Sequence, residues 1–212
     1  MRVQLINKTP NFLRTIWTAG RTCHSAVEPQ ELFCQDQSKS AMLKLIDFLV
    51  SQKHLSTLEH CSMTFAVSGV SRTLLAQYSR HRIGVSLSVQ SQRYVSERSD
   101  RGGQFDFVTP RSIESEAAAE CYRQAMADAQ NAYDRLCALG VPMEDARFVL
   151  PGGITTQFVT TLNLRSFLDI YEKRVRVKGA QWEIRAMVKA MAQELIASEP
   201  WLIRYLPEEA EK

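Results

Sequence analysis

The sequence predicts an α+β fold. Two period-2 segments, MRVQLIN and HCSMTFAVSG, read as strands, and a threonine-rich, β-branched run, ITTQFVTTLN, reads as a third. Long amphipathic patterns lie among them. The two types are mixed without regular βαβ alternation, which argues against a doubly wound parallel sheet.

In chain order, residues 1–7 form the first strand. Residues 38–52, SKSAMLKLIDFLVSQ, place Met42, Leu45, Ile46 and Leu49 at helical spacing. Residues 60–69 form the second strand. VSRTLLAQYSRHR, residues 70–82, reads as a helix that puts Gln77, Arg80 and His81 on one face at i, i+3 and i+4. RGGQFDF, residues 101–107, is a loop by its glycines. The longest helix is expected over 113–139, with Ser112 as N-cap and Gly140 with Pro142 as stop signal. A short segment, MEDARFVLP, ends at Pro151. The strand at 154–163 leads into a helix, LRSFLDIYEKR. The final helix, AQWEIRAMVKAMAQELIAS, carries Ile184, Met187, Val188, Met191 and Leu195 on one stripe, and the tail PEEAEK is expected to fray. No repeat or low-complexity linker divides the 212 residues, so one domain over 1–212 is the simplest reading.

A hydrophobic content of 45% suffices for a packed core. The net charge of +3 is too small for a protein that coats nucleic acid. The charge is clustered, however. Arg80, Arg82, Arg93, Arg98 and Arg101 form one group, and Arg165, Lys173, Arg174, Arg176, Lys178 and Arg185 another. Such clusters can bind phosphates at modest total charge. The five cysteines, Cys23, Cys34, Cys61, Cys121 and Cys137, are odd in number and show no CxxC spacing. Neither a disulfide framework nor a common structural zinc site is expected. The four histidines offer no convincing metal set, so no metal is expected. With no signal-like N-terminus and no apolar run of spanning length, a cytoplasmic protein without membrane contact is the default.

There is no GxGxxG after a strand and no GxxxxGK[ST] loop, so a Rossmann or P-loop nucleotide site is not expected. The densest chemistry is RHRIGVSLSVQSQRYV, residues 80–95, which holds three arginines and no acid. Arginine forks bind phosphate bidentately and stay charged. Gln77, Arg80, Ser91, Gln92 and Arg93 together could hold a nucleotide phosphate and sugar. The bland reading is a solvated basic surface with arginines paired to distant carboxylates. Spacing alone leaves both open.

Further motifs decide between them. RHRIGVSLSVQSQRY resembles the signature of flavin-dependent thymidylate synthases, in which RHR is followed by about seven residues, Ser and then Arg-Tyr. KHLSTLEH at 53–60 resembles the family's GHxSxxEH segment. LAQYSRHR carries the family glutamine, and ARFVLP at 146–151 resembles its ARxxLP element. NLRSFLDIYEKR followed by AQWEIR resembles its C-terminal block. These elements occur in family order over most of residues 53–185.

The resemblance implies reductive methylation of dUMP to dTMP. FAD would be the bound cofactor, methylenetetrahydrofolate the carbon donor and NADPH the reductant. It implies a largely antiparallel sheet flanked by helices in a single-domain protomer of a homotetramer, with active sites at subunit interfaces. Partners are then dUMP, folate and NADPH, and no nucleic acid. Gln77, Arg80, Gln90, Ser91, Gln92, Arg93, Arg147 and Arg174 match dUMP-contacting positions. Ser56, Arg80, His81, Arg82, Asn163, Arg165 and Asp169 match flavin-contacting positions, with Asp169 standing where the family often has Asn or His. Arg174 matches the arginine assigned to activating the uracil ring. Glu59 is a candidate partner for the basic cluster. His54 and His60 are left between ligand contact and ordinary hydrogen bonding. Trp182 reads as core, and Arg176 and Lys178 as solvated. Ser91 reads as a substrate-binding residue, since no acid is evident to orient His81 as its base. None of the cysteines has the Pro-Cys-His context of the unrelated thymidylate synthases, so no thiolate nucleophile is expected.

Two departures stand out. Eight residues, not seven, separate Arg82 from Ser91, and Val89 falls where the family commonly has Glu or Gln. Glycine in Ile83-Gly84-Val85 could absorb the extra residue. A further extra residue between Arg174 and Trp182 leaves Arg176 as a rival for the activating role. The alternative from another class is a non-catalytic nucleotide- or RNA-binding protein that uses the Arg80-to-Arg93 segment.

Overall fold

The structure, a computed structural model, describes residues 1–207. The frayed tail expected over 207–212 lies, from residue 208 on, outside the described residues. The chain runs β1 (Arg2–Lys8), α1 (Phe12–Thr22), α2 (Pro29–Cys34), α3 (Lys39–Ser51), β2 (Ser62–Ser71), α4 (Arg72–Tyr78) and β3 (Val85–Val89). It continues with α5 (Glu116–Ala138), α6 (Met143–Ala146), β4 (Thr155–Asn163), α7 (Leu164–Tyr171) and α8 (Trp182–Ser198). The strands pair in the order β1-β2-β4-β3.

The register is antiparallel throughout. Thr9 N donates to Ser62 O, so the end of β1 meets the start of β2. The Thr64 and Thr161 hydroxyls are 2.9 Å apart, while Arg72 N bonds Ile154 O, which runs β2 against β4. Asn163 N bonds Gly84 O and Gln90 N bonds Gln157 O, which runs β3 against β4. The α+β architecture with a helix-flanked antiparallel sheet is therefore present.

Contacts group the chain into two compact units. The first holds Met1–Arg2, Val67–Arg80 and Ser88–Val159, and the second holds Val3–Ala66, His81–Leu87 and the chain from Thr160 onward. In the first unit, α5 covers Phe105 and Ile154 with Met126, and covers Ala146 with Tyr133 and Cys137. Tyr78 stacks on Phe158 with ring centroids 5.5 Å apart. In the second unit, α1 packs on α2 and α3 through Trp17, Leu32 and Met42. The predicted stripe of α8 is wholly buried at Ile184, Met187, Val188, Met191 and Leu195.

Several local expectations are corrected. α1 and α2 lie where the pattern reading assigned no element. The helix expected over 70–82 stops at Tyr78, with Ser79 as C-cap. Gln77, Arg80 and His81 therefore do not share a helical face. The chain must leave the helix there because Gly84 pairs with Asn163 to open β3. The long helix starts at Glu116, capped by Ser115 Oγ accepting from Ala118 N, and Ser112 plays no part in its cap. Its end is as expected: Gly140, at φ 88, lets Val141 N reach back to Leu136 O in a Schellman turn. The helix at 164–174 continues past Tyr171 as a π-helical turn, Glu172–Arg176. Trp182 is only partly buried.

Candidate functional site

In the first unit the dUMP candidates gather around three guanidiniums. Arg93 Nε donates to Glu144 Oε2 at 2.8 Å, and Arg147 Nε donates to the Glu144 backbone carbonyl at 2.9 Å. Glu144 thus draws the two arginines to one place. The third is Arg72, whose Nη2 donates to Gln90 O at 3.1 Å. Burial first, and Arg147 second, pull the Arg72 guanidinium below its ordinary value, while Glu97 pulls it back up. Burial in turn raises Glu97 above the usual carboxylate range, opposed by Arg72. A partly buried guanidinium with a second one close enough to lower it further is a ready site for an anion.

Three side-chain polar atoms in this unit lack partners. Arg72 Nε, Gln92 Nε2 and Thr156 Oγ1 are buried with no hydrogen-bond partner among the described residues. Leaving such groups unsatisfied costs about 1–3 kcal/mol each. Ser91 serves a turn: its hydroxyl accepts from Arg93 N at 3.2 Å, and its carbonyl accepts from Val95 N. A hydroxyl committed to that turn fits positioning better than attack. Gln77 is partly buried on α4, and Arg80 is exposed just beyond it. Val89 ends β3 on the half-buried face shared with Val85 and Leu87, so it packs as a strand residue.

The second unit brings together most of the flavin candidates. Asn163 ends β4 and caps α7, its Oδ1 accepting from Ser166 N at 2.8 Å. Ser166 Oγ donates to Ile83 O at 2.7 Å, and Asn163 N bonds Gly84 O. The 83–84 turn is thereby fastened to the start of α7. Gly84 sits at φ 65, and a Cβ there would lie 2.4 Å from Asn163 Nδ2 and 2.5 Å from Ser166 Oγ. Only glycine fits both the backbone and the space. Arg165 pairs with Glu59, in the 3-10 turn Leu55–His60 that packs on α7 and carries exposed Ser56. Asp169 pairs with Lys173 at 2.7 Å. His54 and His60 are exposed. Arg82 is exposed and, like Arg80 in the first unit, has no hydrogen-bond or ion-pair partner among the described residues.

The π turn separates the four cations that follow. Val175 is fully buried and anchors it against α7 and α8. Lys173 turns to Asp169, Arg176 to Glu172, and Lys178 is exposed. Arg174 alone of the four is partly buried and donates from Nε to His81 Nε2 at 2.9 Å. π turns recur at functional sites because they re-aim a side chain.

Among the described residues no group of His, Cys, Asp and Glu is placed to hold a metal ion. No described helix is long and apolar enough to cross a membrane. Sequence reasoning missed Arg72, Glu97 and Glu144. Arg72 had a signal: it is a cation in the first turn of a helix, where the dipole favours an acid. Glu144 and Glu97 had none, since their roles depend on tertiary approach.

The fold and these clusters define an α+β protein with clustered arginines and no phosphate loop. Comparison with known proteins supplies the family. The family model described as thymidylate synthase complementing protein matches residues 4–201. A flavin-dependent thymidylate synthase from Geobacter sulfurreducens is 37% identical over 205 residues, covering 96% of this chain and 86% of that protein. One from Clostridium tetani is 33% identical, covering 97% and 86%. A crystal structure of thymidylate synthase X from Helicobacter pylori with FAD and dUMP superposes with a TM-score of 0.75 at 25% identity, covering 98% of this chain and all of that one. The chain belongs to the flavin-dependent thymidylate synthase family.

Proposed function

We propose that this chain is an FAD-dependent enzyme that methylates dUMP reductively to dTMP. Methylenetetrahydrofolate would be the carbon donor and NADPH the reductant, and no cysteine would act as nucleophile. The observation that carries the substrate assignment is the convergence of Arg72, Arg93 and Arg147 beside the unsatisfied Gln92 amide. In this reading the nucleotide phosphate displaces Glu144 from Arg93. Both members of that pair are about half exposed, so it holds the arginine with less than about 1 kcal/mol. Gln77, Gln90, Ser91 and Gln92 then orient sugar and base, and Arg80 contacts both ligands.

Arg174 is the residue we assign to the chemistry. A fixed guanidinium stabilises the negative charge that develops on the uracil ring more strongly in a partly buried site than in water. Ser56, His81, Arg82, Asn163, Arg165 and Asp169, with Arg80, would hold the flavin. Exposed Arg80 and Arg82, without protein partners among the described residues, suit its phosphates. When bound, FAD supplies the reducing equivalents. Cys61 supports the absence of a thiolate step: burial, then Glu199, pushes its thiol up to about 12, and its Sγ lies 3.7 Å from Phe12 O. The chain is read as one functional domain in a homotetramer. Purified protein should show oxidised-flavin absorbance that NADPH bleaches. A colourless protein that binds no added FAD would favour the nucleotide- or RNA-binding alternative.

A further inference from the structure

Arg174 Nε and His81 Nε2 stand 2.9 Å apart, both side chains partly buried. An arginine cannot give up its proton in a protein and has no acceptor atom. The bond therefore runs one way, from the guanidinium to a bare imidazole nitrogen. That fixes the protonation state of His81: neutral, with its proton on Nδ1. A protonated imidazole would have no lone pair to offer and would set two cations at contact distance.

We infer that His81 is a positioning residue for Arg174: its neutral Nε2 accepts from Arg174 Nε and fixes the plane of the guanidinium that the proposed function assigns to the uracil ring. This deepens the proposed function and rests on it, because it gives the His of the RHR motif a duty toward the substrate arginine beside its expected contact with flavin.

The surroundings support the assignment. Arg174 lies on the π turn, whose one fully buried side chain is Val175. The turn thus fixes the backbone but leaves the long arginine stem to be held at its far end. The neighbouring cations are held by carboxylates, Lys173 by Asp169 and Arg176 by Glu172. The bond from Arg174 Nε orients the guanidinium, and a neutral imidazole adds no opposing charge of its own. On the other side, His81 is placed by the turn that follows it, where Ile83 O accepts from Ser166 Oγ and Gly84 O accepts from Asn163 N. Both ends of the bond are therefore anchored to α7 or its continuation.

The test uses the full-length, FAD-loaded enzyme, His81→Leu and His81→Gln. Glutamine offers an amide oxygen as acceptor and leucine offers none. Tritium release from [5-³H]dUMP should fall about ten- to a hundredfold in kcat per bound flavin for His81→Leu, with KM for dUMP changed little. His81→Gln should recover most of that loss. Histidine ¹⁵N NMR of the wild type, assigned by the signal lost in His81→Gln, should show a protonated Nδ1 and a bare Nε2. Equal defects in both variants would overturn the inference. So would an Nε2-protonated tautomer, or a defect that vanishes once rates are normalised to bound FAD. If the wild type itself releases no tritium, the thymidylate reading falls, and the NMR result still decides the His81–Arg174 bond.

Discussion

Gly84→Ala tests the joint that aligns the RHR motif with α7. Gly84 has φ 65, a region where a Cβ costs about 1–2 kcal/mol. Alanine recovers part of this, about 0.4–1 kcal/mol, by restricting the unfolded chain. Space adds to the cost. The new methyl would meet Asn163 Nδ2 at 2.4 Å and Ser166 Oγ at 2.5 Å. Relief requires giving up the Ser166–Ile83 bond and the Asn163 cap on Ser166 N. Each is worth about 1 kcal/mol. The expected net loss is about 3 kcal/mol. Gly140→Ala is the control: its φ is 88, yet nothing lies within 4 Å of the added Cβ. It should lose only about 1 kcal/mol. Urea denaturation followed by circular dichroism measures both. At about 2 kcal/mol per molar urea, the Gly84 variant should unfold roughly 1 M earlier than the control. Its flavin content should fall as well. If Gly84→Ala is no less stable than Gly140→Ala, the proposed fastening of the motif to α7 is wrong.

Other expectations follow from the same geometry. Arg72→Ala should weaken dUMP binding about ten- to a hundredfold by calorimetry, as for loss of a charge-assisted bond, with FAD content unchanged. Glu144→Gln should change dUMP affinity less than about fivefold, because the half-exposed pair it removes is weak; added salt should weaken wild-type binding more strongly. Native protein at pH 8 should alkylate at exposed Cys23, Cys34 and Cys121 but not at buried Cys61 or Cys137, read by mass spectrometry. Cys61 also sets a pH dependence. Its folded pKa of about 12 lies above the ordinary value of 9.0. Its contribution is fully present below about pH 9 and is lost as pH rises toward 12, so a Cys61→Ala variant should lose less stability over that window.

Much of the fold was legible because its signals are local. The alternation in β1 and β2 and the stripe of α8 follow from side-chain period alone. The Schellman end of α5 was readable because Gly140 and Pro142 punctuate it. Helix starts were less legible: Ser112 and Ser115 are equally good caps by type, and only Ser115 has its hydroxyl on the amide three residues on. The early end of α4 was hidden for a related reason. The sequence through Arg80 and His81 continues a helical pattern, and the pairing of Gly84 with β4 overrides it. α1 starts at Phe12 behind Asn11, a good N-cap by type that here sits at φ 52 and makes no side-chain cap.

The site was legible as a set of residue types and illegible as an arrangement. The arginines of the RHR segment stood out by the absence of nearby acids, yet Glu144 reaches Arg93 from 51 residues away. Spacing from Asn163 favoured Arg174 over Arg176 but could not show what either side chain touches. The π turn separates them, exposing Arg176 beside Glu172 and bringing Arg174 to His81. Arg72 was passed over because its neighbours in sequence are ordinary; its partners Gln90, Glu97 and Arg147 arrive only with the fold.

The most direct measurement is tritium release from [5-³H]dUMP by the flavin-loaded protein with methylenetetrahydrofolate and NADPH. Release should require added dUMP and bound FAD. It should disappear in Arg174→Ala while FAD stays bound, and persist when all five cysteines are replaced by serine or alanine in a variant that still folds. No release by flavin-loaded wild-type protein, or full release by Arg174→Ala, would contradict the assignment.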